Sequence, residues 1–213
     1  LTGRLVGRVT VNAVVDHIRE KSAETQLAEA GLSREEDVFA PVWNSFKNRW
    51  AWLAVNLVTA FIASRVIGAF EGSIEKLVAL AALMPIVAGI GGNSGNQTIT
   101  MIVRALALGQ IQSSYWRKLI SKELGVATLN GVVWGGLLGI ATYLLYGSVA
   151  LGGVMALAML LNLLLAAGMG VAIPYLRARF ERDPAVGSSV LITACTDSGG
   201  FFIFLGLATL FLL

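Results

Sequence analysis

The chain has 213 residues, of which 56% are hydrophobic and only 14% are charged. A soluble domain has roughly 45–50% apolar and about 25% charged residues, so the composition excludes a protein whose main solvent is water. The 16 basic and 13 acidic residues leave a formal net charge of +3. Because the basic residues flank apolar runs and form no cluster with aromatic side chains, nucleic acid is excluded as a partner.

The first 48 residues differ from the rest and predict a short cytoplasmic leader. A β-like stretch over Leu5–Val11 precedes a helical pattern over Val14–Lys21, and an acidic, helix-compatible run follows before Pro41. The acids of this region have two interpretations that the sequence leaves open: a solvated helix face, or a surface that senses cations. Seven of the 13 acids of the chain fall here: Asp16, Glu20, Glu24, Glu29, Glu35, Glu36 and Asp37.

Five apolar segments follow, and each is long enough to cross a membrane. A bilayer core about 30 Å thick requires a helix of about 20 apolar residues. The sequence therefore predicts an all-α polytopic membrane protein, with five transmembrane helices in a domain over residues 49–213. The predicted spans are Trp50–Phe70, Leu77–Leu108, Leu124–Tyr146, Ala150–Leu176 and Ala185–Leu213.

Basic residues in the short loops predict how the spans are oriented in a bacterial inner membrane. Cytoplasmic loops carry an excess of Lys and Arg. The loops after the second and fourth predicted spans hold such residues, whereas the loop around Gly147–Ser148 has no charge. We therefore expect a cytoplasmic N-terminus and an external C-terminus. The basic residues of the two cytoplasmic loops are Arg117, Lys118, Lys122, Arg177, Arg179 and Arg182.

Small and amide residues in the third and fourth spans indicate close helix packing. Gly131, Gly135 and Gly139 recur at every fourth residue of the third span, and such a face lets a neighbouring backbone approach closely. For Asn130 and Asn162 we expect hydrogen bonds between helices rather than ligand binding.

A polar stretch interrupts the second predicted span. It reads Gly-Ile-Gly-Gly-Asn-Ser-Gly-Asn-Gln-Thr over residues 89–98 and follows Pro85. Backbone of this kind is tolerated at membrane depth only where protein or a water-filled cavity satisfies its polar groups, so we expect it to line a pore or to pack closely. Gly92, Asn96 and Thr100 recur at every fourth residue, and would present a carbonyl, an amide oxygen and a hydroxyl along one line.

Asp197 is the one acid that we expect deep in the membrane, near the middle of the fifth span. An aspartate there costs about 2.5–3.5 kcal/mol on translocon-type scales. The basic residues within spans, Arg65 and Arg104, lie toward span ends, where their side chains can reach the interface. A functional role is therefore favoured over a structural ion pair. Thr193 lies one turn before Asp197 on the same helix face.

These oxygen groups favour a hard cation. Mg²⁺ prefers octahedral oxygen coordination at about 2.0–2.1 Å and gives up its water reluctantly, so carbonyls, amides and a carboxylate can hold the hydrated ion. One aspartate per chain would hold a dication poorly, and we therefore expect a two-fold dimer that brings two carboxylates to a shared axis. Co²⁺, Ni²⁺ and Mn²⁺ share this chemistry with Mg²⁺, so the ligand types do not separate these ions.

The runs Pro85–Gly109 and Pro184–Gly200, with the acid-rich leader and the five spans, resemble the MgtE family of Mg²⁺ channels over essentially the whole chain. The resemblance depends on Gly-Gly-Asn-Ser-Gly-Asn-Gln and a later Thr-Asp-Ser-Gly-Gly, which occur in the family's order. It implies a homodimer whose second and fifth spans line a pore for hydrated Mg²⁺. The positions implied to surround the ion are Asp197, Asn96, Gly92 and Thr193.

The resemblance also extends to the leader. Residues 1–25 resemble the last strand and helix of a CBS regulatory domain, and residues 26–48 resemble the family's connecting helix, which closes the pore when cytosolic Mg²⁺ is high. Asn12 and Ala13 stand where the family often has acids. The resemblance therefore does not extend Mg²⁺-dependent closure to this chain.

Two other classes of protein compete with the channel. A proton- or cation-coupled secondary transporter of divalent metals would also use Asp197, although five spans do not divide into inverted repeats. An intramembrane protease is a remote alternative, because Gly92-Asn93-Ser94-Gly95 fits a GxSG pattern. The histidine that would activate the serine is missing from the spans, since the single histidine, His17, lies in the leader. We expect no enzyme.

Overall fold

A computed structural model of the chain describes residues 8–32, 38–111 and 115–213, and within these ranges it contains seven α-helices and no strand. Of the β-like stretch predicted over Leu5–Val11, residues 5–7 lie outside the described residues, residues 8–10 form no strand, and Val11 begins the first helix. The helices are α1 Val11–Glu29, α2 Val42–Gly68, α3 Glu71–Lys76, α4 Ala79–Ala107, α5 Trp116–Tyr146, α6 Val149–Arg179 and α7 Ser188–Leu212.

Among the described residues, four helices are long and apolar enough to cross a membrane: α2, α5, α6 and α7. The second predicted span corresponds to α4, whose 29 residues extend about 44 Å, more than the ~30 Å of a bilayer core. Its glycine- and amide-rich stretch lowers its hydropathy, and α4 is not among the four. A polytopic helical protein is therefore supported, and the count of five spans stays a prediction.

The centre of the bundle is α6, which packs against α4, α5 and α7. Its sequence is apolar almost throughout, as expected of a helix buried on several sides. One core cluster joins the start of α4 and the start of α6 to the end of α7, through residues such as Val87, Met155 and Phe204. A second cluster at the opposite end contains Ile173 and Ile192. These contacts make α4 and α6 parallel and α7 antiparallel to both.

The predicted glycine face of α5 packs against α6. A Cβ atom added to Gly135 would lie 2.8 Å from the carbonyl oxygen of Ala156, and one added to Gly139 would lie 2.7 Å from that of Gly152. Gly136, by contrast, faces open space. The close backbone approach expected from the four-residue period is confirmed.

A two-residue connection makes α5 and α6 a helical hairpin. Gly147 ends α5 in the left-handed region, with φ +67°, and its N–H donates to the carbonyl oxygen of Tyr143 at 2.8 Å. The next residue, Ser148, caps α6 by accepting a hydrogen bond from the N–H of Leu151 at 3.2 Å. A glycine after one helix and a serine before the next are the usual residues for these two positions.

The leader contacts the membrane helices through α1 and the residues that follow it. The carbonyl oxygen of Ala28 accepts a hydrogen bond from the N–H of Gly187, just before α7, at 3.1 Å. Gly31 and Gly187 both have positive φ and leave room for the Trp52 indole of α2, which a Cβ atom at either position would overlap. Because α1 runs without a break through residues 25 and 26, the division of the leader at that point stays a prediction.

Candidate cation site

One face of α4 carries the polar side chains of the predicted pore-lining stretch. Of the residues expected to line up at every fourth position, Asn96 and Thr100 reach an open cavity of about 680 Å³, whereas Gly92 is buried. Amide and hydroxyl oxygens on such a face can accept hydrogen bonds from the water shell of a cation. The cavity is lined by Asn93, Asn96, Gln97, Thr100, Met101 and Arg104.

Gly92 lies where α4 contacts α7, beside the residue that precedes Asp197. A Cβ atom added to Gly92 would lie 3.6 Å from Oγ1 of Thr196. Asp197 itself is partly buried, and its carboxylate forms neither a hydrogen bond nor an ion pair with any residue that the structure describes. An uncompensated carboxylate in an apolar helix is costly and marks a site for a cation or a proton.

The two threonine side chains near Asp197 bond back to their own helix. Oγ1 of Thr193 donates to the carbonyl oxygen of Ser189 at 2.9 Å, and Oγ1 of Thr196 donates to that of Ile192 at 2.9 Å. Donation to the backbone leaves the lone pairs of each hydroxyl oxygen free to accept from water. Thr193 is exposed and Thr196 is buried, so Thr193 is the hydroxyl that water can reach.

The predicted site residues thus lie on two helices that contact each other, Gly92 and Asn96 on α4 and Thr193 and Asp197 on α7. Among the described side chains, no three His, Cys, Asp or Glu residues come together. The described part of the chain therefore offers oxygen groups that suit a hydrated cation, without a closed cluster of acidic ligands. That all four residues serve one ion stays a prediction.

Asn162 of α6 links the two helices of the candidate site. It is fully buried, its Nδ2 donates to the carbonyl oxygen of Val87 in α4 at 2.8 Å, and its side chain lies against Gly91 of α4 and Gly200 of α7. The expected hydrogen bond between helices is therefore confirmed for Asn162. For Asn130 it is wrong, because that exposed side chain bonds to the carbonyl oxygen of Val126 in its own helix.

Glu123 is a buried acid, in addition to the partly buried Asp197. It lies within α5, one residue before the predicted third span, and is 5% exposed. Its Oε2 accepts a hydrogen bond from Oγ1 of Thr98 in α4 at 3.3 Å, and its Oε1 lies 3.2 Å from Nζ of Lys122. The carboxylate joins α5 to the polar stretch of α4.

A signal for Glu123 is present in the sequence. Glu123 and Ala127 continue the four-residue period of the glycines Gly131, Gly135 and Gly139 toward the start of the helix, and all five residues are buried. Extending that period backward places Glu123 on the packed face of α5. The predicted third span leaves Glu123 out because the apolar run begins at the next residue, Leu124.

The fold and the site together define a class, a helical membrane protein with an unpaired acid and a polar helix face suited to a hydrated cation. Residues 84–207 match the sequence model of the MgtE family, which is described as a divalent cation transporter. The chain belongs to the MgtE family, as the two polar motifs predict. The family is described as a transporter family and not as a family of enzymes, so membership contradicts the protease alternative.

Curated relatives match almost all of the chain. The magnesium transporter MgtE of Thermus thermophilus is 33% identical over 222 residues, which cover 99% of this chain and 47% of the relative. The magnesium transporters MgtE of Bacillus subtilis and Enterococcus faecalis are 29% and 30% identical, each over 98% of this chain and 46% of the relative. The chain spans about half the length of these relatives.

Proposed function

We propose that this chain is the membrane domain of a Mg²⁺-permeable divalent-cation channel, in which hydrated Mg²⁺ moves along the facing polar surfaces of α4 and α7. The unpaired carboxylate of Asp197, on a helix apolar enough to span a membrane, carries the proposal. Such a charge is retained in a bilayer where a mobile cation neutralises it. The relatives named magnesium transporters support Mg²⁺ as the ion.

Hydrated rather than bare Mg²⁺ fits the side chains of the site. Asn96 presents an amide at the cavity of α4, Thr193 an exposed hydroxyl and Gly92 a backbone carbonyl, so Asp197 would be the one acidic group among the proposed site residues. Mg²⁺ dehydrates reluctantly, and a ring of neutral acceptors with one carboxylate suits its water shell better than its inner coordination sphere. The same shell surrounds Co²⁺, Ni²⁺ and Mn²⁺, which we expect to compete with Mg²⁺.

A homodimer completes the pore in this proposal. The polar cavity beside Asn96 is open, and all of its lining residues belong to α4. A second chain related by a two-fold axis would face this surface with its own α4 and α7, and would add a second Asp197. Two carboxylates balance the charge of one divalent ion.

We also propose five spans, with α4 as the second, in the bacterial inner membrane. The basic residues in the loops support an orientation with the N-terminus in the cytoplasm and the C-terminus outside. Residues 1–25 would be the end of a CBS-like regulatory domain and residues 26–48 a connecting segment. The contact of the leader with Trp52 and Gly187 supports communication between that region and α7.

A coupled secondary transporter is the second candidate, favoured by the same observation. An unpaired carboxylate within a spanning helix can exchange a proton as well as hold a cation. Liposomes with a pH gradient and equal Mg²⁺ on both sides separate the two functions. A channel gives no net Mg²⁺ flux under that condition. Mg²⁺ flux driven by the proton gradient would show that the protein is a coupled transporter and not a channel.

The proposal is tested by Mg²⁺ flux into liposomes that contain the wild-type chain, Asp197→Asn or Asp197→Ala. We expect both variants to lose flux by about tenfold or more, because one unit charge near the ion contributes several kcal/mol at an effective dielectric constant of about 20. Asn130→Ala is the matched control, since this exposed polar residue bonds only within α5. Unchanged Mg²⁺ flux in both Asp197 variants would show that the aspartate has a structural role and that the proposed mechanism is wrong.

A further inference from the structure

We propose that Asn162 is a positioning residue that holds α4 and α7 at the separation which the cation path requires. The inference rests on the proposed function, because it treats these two helices as the walls of that path. Asn162 touches neither the ion nor the open cavity. Its effect on the ion path would be transmitted through Gly91 of α4 and Gly200 of α7, which contact its side chain.

The side chain of Asn162 is enclosed where three helices meet. Its Nδ2 donates to the carbonyl oxygen of Val87, and its Oδ1 accepts no hydrogen bond from the described residues. A Cβ atom added to Gly200 would lie 2.7 Å from Nδ2, and one added to Gly91 would overlap the same amide. Both glycines are therefore required by the presence of this side chain.

The two glycines are next to the candidate site in sequence and in space. Gly91 immediately precedes Gly92, and Gly200 lies one turn beyond Asp197 on the same helix face. A side chain held between Gly91 and Gly200 therefore fixes the distance between a backbone carbonyl of α4 and the carboxylate of α7. Packed helices do not deform continuously, so a change at this contact shifts a helix as a unit.

A purely packing role does not explain an amide at this position. A leucine has the same branched shape and the same number of side-chain heavy atoms, and it would avoid burying an oxygen without a partner, which costs about 1–3 kcal/mol. The single directional bond to Val87 fixes the rotation and height of α4 relative to α6, which an apolar contact does not. The polar side chain thus specifies one arrangement of helices.

The test is a cycle of Gly200→Ala, Asn162→Ala and the double variant, with Mg²⁺ flux and thermal stability measured for each. Gly200→Ala should abolish most flux, because its Cβ atom meets the Asn162 amide. The double variant should recover flux and stability toward those of Asn162→Ala, because the clash is gone. Gly136→Ala is the control, since a Cβ atom there meets open space.

The half-saturating Mg²⁺ concentration separates the two roles of Asn162, because a residue that only stabilises the fold would leave it unchanged. We expect Asn162→Ala to raise it by about threefold, the effect typical of an interhelical hydrogen bond in a membrane. Leu163→Ala is the matched control, because Leu163 is also buried on α6 but packs toward α5. That variant should lower thermal stability and leave the half-saturating concentration unchanged.

Each outcome decides the proposal. Recovery in the double variant, with the shift confined to Asn162, supports it. Wild-type flux in Gly200→Ala, or no recovery in the double variant, overturns it. If Asn162→Ala does not fold, the proposal is tested with Gly91→Ala and Gly200→Ala alone. Normal flux in both variants would contradict a positioning role for the contact of Asn162 with these glycines. Failure of the proposed function is distinguished by Asp197→Asn, which would then conduct normally while the stability cycle is still measurable.

Discussion

Glu123 shows how one buried side chain joins two helices. Replacing it by alanine removes the acceptor for the Thr98 hydroxyl and leaves a void between α4 and α5. We expect Glu123→Ala to lower the free energy of unfolding by about 2–4 kcal/mol. Glu123→Gln retains an acceptor and similar volume and should cost less. Thermal denaturation in detergent measures both.

Glu75→Ala is the control for this comparison, because Glu75 is an exposed acid of α3. A surface substitution of this kind is expected to change stability by about 0.5 kcal/mol or less. Equal effects of the glutamine and alanine variants at Glu123 would contradict the hydrogen bond to Thr98, because they would show that the negative charge alone matters at this position.

The sequence predicted single residues best where the free-energy cost of a polar side chain depends only on its own helix and not on the fold. An unpaired aspartate in an apolar run is visible without a fold, and so is an asparagine in a helix such as α6. Which partner each asparagine finds is not visible: Asn162 reaches Val87, whereas the exposed Asn130 bonds to its own helix. That difference depends on which face of a helix meets a neighbour, which only the packing decides.

At the scale of elements, the contact of α5 with α6 depends on which glycines face the partner. Gly135→Ala would place a Cβ atom 2.8 Å from the backbone carbonyl oxygen of Ala156, and backbone does not move aside cheaply. We expect Gly135→Ala to destabilise the protein by about 1–3 kcal/mol. The adjacent Gly136→Ala meets nothing and should be neutral or slightly stabilising, because alanine favours helix.

Denaturation of these two variants under identical conditions is the measurement, and the adjacent glycine is the control for helix propensity. Equal destabilisation by both substitutions would indicate that glycine itself, rather than the α5–α6 contact, determines the effect. The comparison is sharp because the two positions differ by one residue and share the same helix and the same depth.

Helices were predicted from the length of their apolar runs. This criterion explains which helix ends were predicted correctly and which were not. The four helices that are long and apolar enough to span a membrane correspond to predicted spans, and their ends agree within about three residues except at the starts of α2 and α5, which begin about eight residues earlier than predicted. The start of α5 was predicted late, because Trp116 and the basic residues after it continue the helix beyond the apolar run. In α4 the polar stretch does not break the helix, since glycines and amides keep their backbone bonds while their side chains meet neighbours or an open cavity.

The whole molecule exposes its polar α4 face to an open cavity while α6 is enclosed on three sides. Among the described residues only those of α4 line that cavity, and this geometry supports the proposed dimer. If two Asp197 carboxylates share one ion path, then a chain that lacks the carboxylate should impair a wild-type partner. Independent pores in each chain would show no such effect.

Mixing wild-type and Asp197→Asn chains in equal amounts before assembly distinguishes these cases. Random pairing leaves about a quarter of the dimers fully wild type, so flux should fall to about a quarter of the all-wild-type value if both carboxylates are required, and to about half if each chain conducts alone. A mixture with Asn130→Ala should retain full flux. A flux near one half of the all-wild-type value would show that the two Asp197 carboxylates do not share one ion path. Asp197 would then belong to a pore within one chain.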